Sequence, residues 1–281
     1  MTSILSPTAG GSGAATPDLD ALRSRLLDLD RVVVAFSGGA DSAFLAWVAH
    51  DTLGAERALA VTAVSPSLAP VEHDDCRALA AEWSLRWQPV ATDEMANAAY
   101  RVNDGDRCFH CKDALMDALE PLVAAEDATV VLGVNLDDLG DHRPGQQAAA
   151  ERGAAFPLVE AGFTKADVRA TSRALGLRTW DKPAAACLAS RLPYGTPVST
   201  PVLKQVAQAE AALGALGFRA LRVRHYDDTA RLEVPLADLA AVLDRRAEVV
   251  DAVHAAGYRY VTLDLEGLRS GNLNAALGDG R

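Results

Sequence analysis

Residues 31–45 read RVVVAFSGGADSAFL, a glycine-rich turn set between an apolar run and the opening of a helix. Val32, Val33, Val34, Ala35 and Phe36 show no polar alternation, the pattern of a parallel strand covered on both faces. The chain must then turn sharply. Gly38 and Gly39 carry no Cβ, so their backbone can take unusual dihedrals and approach an anion closely, while Ser37 and Ser42 offer hydroxyls. From Asp41 to Ala49 the sequence reads as a helix whose unpaired N–H groups and positive dipole end face the turn. That is the physics of a nucleotide phosphate site.

Working outward, apolar runs at residues 58–64, 87–90 and 129–134 alternate with helix-like segments at 71–83 and 112–124. The alternation predicts an α/β fold built on a doubly wound parallel sheet, expected over residues 18–192. Pro193, Gly195 and Pro197 then punctuate the chain. A helix at 201–216, strands at 219–225 and 230–234, a helix at 236–255 and a strand at 258–263 predict a smaller C-terminal α+β domain over residues 193–281. Residues 1–17, MTSILSPTAGGSGAATP, are rich in small residues, Gly and Pro, and read as a disordered tail.

The chain has 281 residues, of which 49% are hydrophobic, enough to build more than one core. No apolar run approaches the roughly eighteen residues that cross a bilayer, and the start lacks a basic stretch followed by an apolar one. A cytoplasmic protein without membrane contact is therefore expected. The net charge of −11, with no block of lysines or arginines, argues against a nucleic-acid partner, which requires a basic face.

Four cysteines, Cys76, Cys108, Cys111 and Cys187, without an export signal point to thiol or metal chemistry rather than a disulfide framework. Cys76 lies on an amphipathic helix and reads as core. Cys108 and Cys111 stand in RCFHCK, and Cys187 in DKPAAACLASRLPYG. Three thiols are one short of a closed zinc site, which His110 or an aspartate would complete. They equally suit a 4Fe–4S cluster with one iron left open.

SGGADS, residues 37–42, lacks the GK[ST] ending of a Walker A loop and is not GxGxxG. It resembles the PP-loop, SGGxDS, of ATP pyrophosphatases, enzymes that adenylate a carboxylate, carbonyl or amide oxygen and release pyrophosphate. The chain as a whole resembles the LarE-type PP-loop sulfur transferases of nickel-pincer nucleotide synthesis. The resemblance is carried by SGGADS, RCFHCK at 107–112, GVNLDDLGDHRPG at 133–145, PLVEAGFTK at 157–165, WDKPAAACLASRLPYG at 180–195 and RVR at 222–224.

The resemblance implies a sheet of the adenine nucleotide alpha hydrolase-like type. It also implies an activity: ATP adenylates a carboxylate of pyridinium-3,5-biscarboxylic acid mononucleotide, and sulfur then displaces AMP. ATP would be held by Ser37, Gly38, Gly39, Asp41 and Ser42, with Asp41 at Mg²⁺. Catalysis is assigned to Cys187, Asp41 and Ser190, and recognition of the mononucleotide phosphate to Arg191, Arg222 and Arg224. Arg222 and Arg224 alternate on a strand and so share a face. Glu210, Asp137, Asp138 and Asp141 are expected to hold metal, position arginines or cap a loop, and Trp180, Lys182 and Pro183 to shape the turn before Cys187.

Family members divide over the sulfur source. Some sacrifice the sulfur at the Cys187 position and end as dehydroalanine, while others add a CxxC and use a cluster-bound sulfide. With Cys108, Cys111 and Cys187 all present, a 4Fe–4S cluster is expected here, in a homo-oligomer, commonly a hexamer. Three other readings compete, among them a PP-loop tRNA thiolase, opposed by the acidity of the chain, and a noncatalytic adenine-nucleotide sensor, which has no need of Cys187. An amidotransferase-type synthetase is opposed by the lack of a glutaminase segment.

Overall fold

The computed structural model describes residues 18–140, 144–182 and 186–269. The expected tail at 1–17, Asp141 and Pro183 lie outside the described residues. Four strands, β1 (Val32–Ala35), β2 (Ala58–Val64), β3 (Trp87–Ala91) and β4 (Thr129–Leu132), form a wholly parallel sheet in the order β3-β2-β1-β4. Ala155 extends it beyond β4, donating its N–H to Val130 O at 2.9 Å.

Eight helices accompany this sheet: α1 (Leu19–Leu29), α2 (Ala40–Leu53), α3 (Pro70–Glu82), α4 (Ala98–Val102), α5 (Arg107–Glu126), α6 (Pro144–Glu151), α7 (Pro157–Glu160) and α8 (Lys165–Ala174). Side chains alternate along a strand, so β1 feeds two cores. Val32 and Val34 join Leu22 and Leu26 of α1, Phe44 and Val48 of α2 and Val168 of α8. Val33 joins Leu59 and Val61 of β2 with Leu115 and Leu119 of α5 on the opposite face. The doubly wound α/β arrangement expected from the alternation is therefore present. Helix α2 is buried nearly all round, because α1 and α8 pack on it. Helix α8 opens with a capping box, in which Thr164 accepts from the Asp167 N–H and Asp167 from the Thr164 N–H.

After α9 (Thr200–Ala215) come β5 (Arg222–Tyr226), β6 (Thr229–Glu233), α10 (Leu239–Asp244), α11 (Arg246–Ala255) and β7 (Tyr260–Leu263). β5 pairs antiparallel with β6, and β6 parallel with β7, giving a small mixed sheet. Val223, Ala230 and Leu232 pack on Leu213 and Val253 of α9 and α11. The single helix expected over 236–255 is broken. Arg245 leaves helical geometry, and its Nη1 donates to Leu216 O at the end of α9 at 2.6 Å, while its guanidinium lies 5.7 Å from the Phe218 ring centroid. A smaller core of Tyr100, Leu188, Leu192, Leu203 and Val206 joins α4 and α9 around the segment after Cys187. Among the described residues no helix is long and apolar enough to cross a membrane.

Candidate active site

The turn after β1 is closed on itself. Ser42 Oγ accepts the Ser37 N–H at 3.2 Å and donates to Gly39 O at 3.2 Å, with Ser37 Oγ 2.9 Å away. Gly38 has φ +70°, and a Cβ there would stand 2.9 Å from Cys76 Sγ, so glycine is required by conformation and by space alike. Gly39 caps α2 without a side-chain bond, leaving the first-turn amides open to an anion.

The loop after β4 supports it from the side. A Cβ on Gly133 would lie 2.8 Å from both the Asp41 carbonyl carbon and the Ser42 nitrogen, so the two backbones touch. Asn135, fully buried, donates from Nδ2 to Asp41 Oδ1 at 3.2 Å, and its N–H donates to Asp138 Oδ2 at 3.2 Å. Burial pushes the Asp41 carboxyl up; Lys165 is the strongest opposing influence, Asp138 adds to the rise, and Asn135 and Arg169 oppose it. A divalent cation fits this pair, because it would relieve the burial and repulsion that disfavour the Asp41 charge. Asp137 has a different task, accepting the Lys165 N–H at the start of α8 at 2.7 Å.

Cys108 and Cys111 lie one turn apart at the start of α5, which begins at Arg107 rather than at Lys112 as expected. Cys187 precedes a 3-10 turn, Leu188–Arg191, that is pinned by Leu188 N–H donating to Ser67 O at 2.8 Å. Ser67 follows β2, so Cys187 stands at the carboxyl edge of the parallel sheet, the same edge that bears the glycine turn after β1. Cys108 and Cys187 are exposed, while Cys111 is half-buried against the core beside Leu188. Burial pushes the Cys111 thiol up to about 12, with the charge of Cys187 the next cause. The three thiols thus lie within electrostatic reach of one another. Yet among the described residues no three His, Cys, Asp or Glu side chains stand in metal-holding arrangement. The set fits a cluster in donor chemistry, not as a closed ligand cage.

The arginines gather where β5 meets the Cys187 turn. Arg191 grips Glu210 with two bonds of 2.9 and 3.1 Å, and Glu210 also accepts the Val223 N–H at 2.9 Å. Arg224, 1% exposed, donates to Ser190 O at 2.6 Å and to Glu233 Oε2 at 2.8 Å, while its Nε has no partner among the described residues. Arg222 sits beside both; burial, then Arg191 and Arg224, make it a weaker base than usual. An anion entering here would relieve that crowding of positive charge. Ser190 lends its hydroxyl to Arg191 Nη1 at 3.1 Å. Lys182 is anchored to α3, donating to Glu72 at 2.8 Å and Asp75 at 2.6 Å, and Trp180 packs under Arg173. Cys76 is core, as expected, its thiol pushed by burial to about 11.

Sequence reading did not assign roles to Gly133, Asn135, Gly145 or Arg107, all of which lie inside the quoted motifs, nor to Asn103 and Tyr100, for which no local signal exists.

Fold and loop together define a PP-loop enzyme that uses ATP and Mg²⁺. The NAD synthase family profile matches residues 21–114. An uncharacterized protein of Synechocystis is 45% identical over 262 residues, covering 92% of this chain and 97% of its own length. The pyridinium-3,5-bisthiocarboxylic acid mononucleotide synthase of Lactiplantibacillus plantarum is 39% identical over 257 residues, covering 91% and 93%. An uncharacterized protein of Methanocaldococcus jannaschii is 24% identical over 241 residues, covering 85% and 91%. The chain belongs to the LarE-type family of PP-loop sulfur transferases that includes the Lactiplantibacillus synthase.

Proposed function

We propose that the protein adenylates a carboxylate of pyridinium-3,5-biscarboxylic acid mononucleotide with ATP and replaces AMP by sulfur, giving a thiocarboxylate for a nickel-pincer nucleotide cofactor. The observation that carries this reading is the tie between Leu188 N–H and Ser67 O, at 2.8 Å, which keeps Cys187 at the sheet edge that bears the PP-loop. Ligands of open α/β sheets bind at that carboxyl edge.

The amides of Gly38, Gly39 and the start of α2, with Ser37 and Ser42, bind the nucleotide phosphates. A substrate carboxylate oxygen attacks the α-phosphorus and pyrophosphate leaves. A carboxylate is a poor electrophile, whereas its mixed anhydride with AMP has a good leaving group. Asp41, with Asp138 beside it, would hold Mg²⁺, which when bound neutralises the charge of the departing pyrophosphate. Arg191, Arg222 and Arg224 bind the mononucleotide phosphate, and Glu210 keeps Arg191 aligned. Sulfur then attacks the acyl carbon and AMP leaves, with Cys187 presented at the reacting carbon and Ser190 beside it.

Cys108, Cys111 and Cys187 are the residues that would hold a 4Fe–4S cluster, whose chemistry when bound is to carry the transferable sulfide at its open iron. On this reading residues 18–192 form the ATP domain and 193–281 the substrate and assembly domain of a cytoplasmic homo-oligomer, a hexamer. The test is product analysis: AMP and pyrophosphate should appear only when the carboxylated mononucleotide is present. ADP and orthophosphate as main products would overturn the reading.

A further inference from the structure

We propose that Arg107 is the positioning residue that holds anionic sulfur at the cysteines, supplying from one buried guanidinium the positive charge that Cys108 and Cys187 both face. This rests on the sulfur-transfer reading and deepens it. Arg107 is 6% exposed. A guanidinium so far from water is ordinarily matched by a carboxylate, since an uncompensated buried charge is costly. Among the described residues none pairs with Arg107. Its Nη1 donates instead to two neutral acceptors, Asn103 Oδ1 at 2.6 Å and Ala189 O at 2.9 Å. Its titratable neighbours are Cys187, Cys108 and Tyr194, whose ring centroid lies 5.8 Å from the guanidinium carbon.

The arrangement is fixed from behind. Asn103 is fully buried, holds the left-handed conformation at φ 59°, and donates from Nδ2 to Pro193 O and Thr196 O at 2.8 Å each. Arg107 precedes Cys108 on α5, and Ala189 stands two residues after Cys187, so a single side chain links the two cysteine-bearing segments. A buried cation with no carboxylate partner among the described residues is matched to charge that the reaction brings, namely thiolate and sulfide.

Alkylation of the reduced, metal-free protein tests this directly. Iodoacetate is anionic and iodoacetamide neutral at nearly equal size, so their rate ratio at a given thiol reads the local charge. The ratio is measured at Cys108 and Cys187 by peptide mass spectrometry. Arg107→Gln should lower it at both positions about threefold or more, and Arg107→Lys should retain most of it. If the Gln variant fails to fold, Arg107→Lys decides, because it keeps the positive charge and so must keep most of the ratio. An unchanged ratio in folded Arg107→Gln, or a fall of about threefold or more in folded Arg107→Lys, would overturn the proposal. The assay contains neither ATP nor mononucleotide, so a wrong substrate assignment leaves its outcome untouched.

Discussion

Among the described residues Arg224 Nε has no partner although the residue is 1% exposed, while its other nitrogens donate to Glu233 and Ser190. Removing it would take from Glu233, fully buried, one of its cations while leaving Arg231 at 3.0 Å, and Arg224→Ala should cost roughly 1.5–3 kcal/mol of stability, which confounds any binding measurement. Arg222 is the cleaner probe, because it is only half-buried. One charge-assisted contact contributes roughly 1.5–3 kcal/mol, so Arg222→Ala should weaken the pyridinium mononucleotide about tenfold or more and leave ATP affinity nearly unchanged. Calorimetric titration with each ligand checks both expectations; equal weakening of ATP would remove Arg222 from the acceptor site. The same strand carries a pH-sensitive residue. Burial holds His225 below its ordinary value of 6.5, with Asp227 opposing. The unfolded chain therefore takes up this proton first, and the stability tied to neutral His225 is lost as pH falls below about 6.5, the loss ending once pH is below the folded value. Thermal melts from pH 7.5 to 5 should show a fall that His225→Gln flattens.

At the scale of elements, two glycines decide how the site loops meet their helices. Gly133 brings the loop after β4 against the Asp41–Ser42 backbone, and Gly145 brings the start of α6 against α5, where a Cβ would lie 2.8 Å from Cys108 O. Backbone atoms cannot swing aside as flexible side chains do, so Gly133→Ala must displace the phosphate turn and should weaken ATP about tenfold. Gly145→Ala should instead alter alkylation rates at Cys108 and Cys111 while ATP affinity stays. The reverse pattern would show that the two contacts do not divide the site in this way. Both glycines sit inside a motif visible in the sequence, but nothing local tells which backbone each one touches. The glycine turn, the paired cysteines and the alternation of Arg222 and Arg224 were legible because each is a short-range pattern. Glu233 as a partner of Arg224 was not, since the β5–β6 register sets Glu233 opposite Arg222 and diagonal to Arg224. The break at Arg245 was hidden for the same reason: its cause, the Leu216 carbonyl, lies on another helix.

For the whole molecule, the question is how two distant stretches of chain deliver one sulfur. Residues 108 and 111 arrive on a helix packed against the parallel sheet, and residue 187 arrives on a turn that also carries Ser190 and Arg191 to the second sheet. The core around Tyr100, Leu188 and Leu203 clamps these pieces together, so the thiols are brought near by tertiary packing and not by local sequence. Burial and the charge of Cys187 keep Cys111 protonated up to about 12, and a bound metal would have to displace that proton. Anaerobically prepared protein should accordingly contain close to one 4Fe–4S cluster by iron and sulfide analysis. Cys108→Ser combined with Cys111→Ser should lose it, and with it repeated turnover on added sulfide. The double variant retains Cys187 and the PP-loop, so it separates the two sulfur routes. A single turnover, leaving protein lighter by the mass of H₂S, would show Cys187 spending its own sulfur. Undiminished multiple turnover in the double variant would remove the CxxC pair from the reaction altogether.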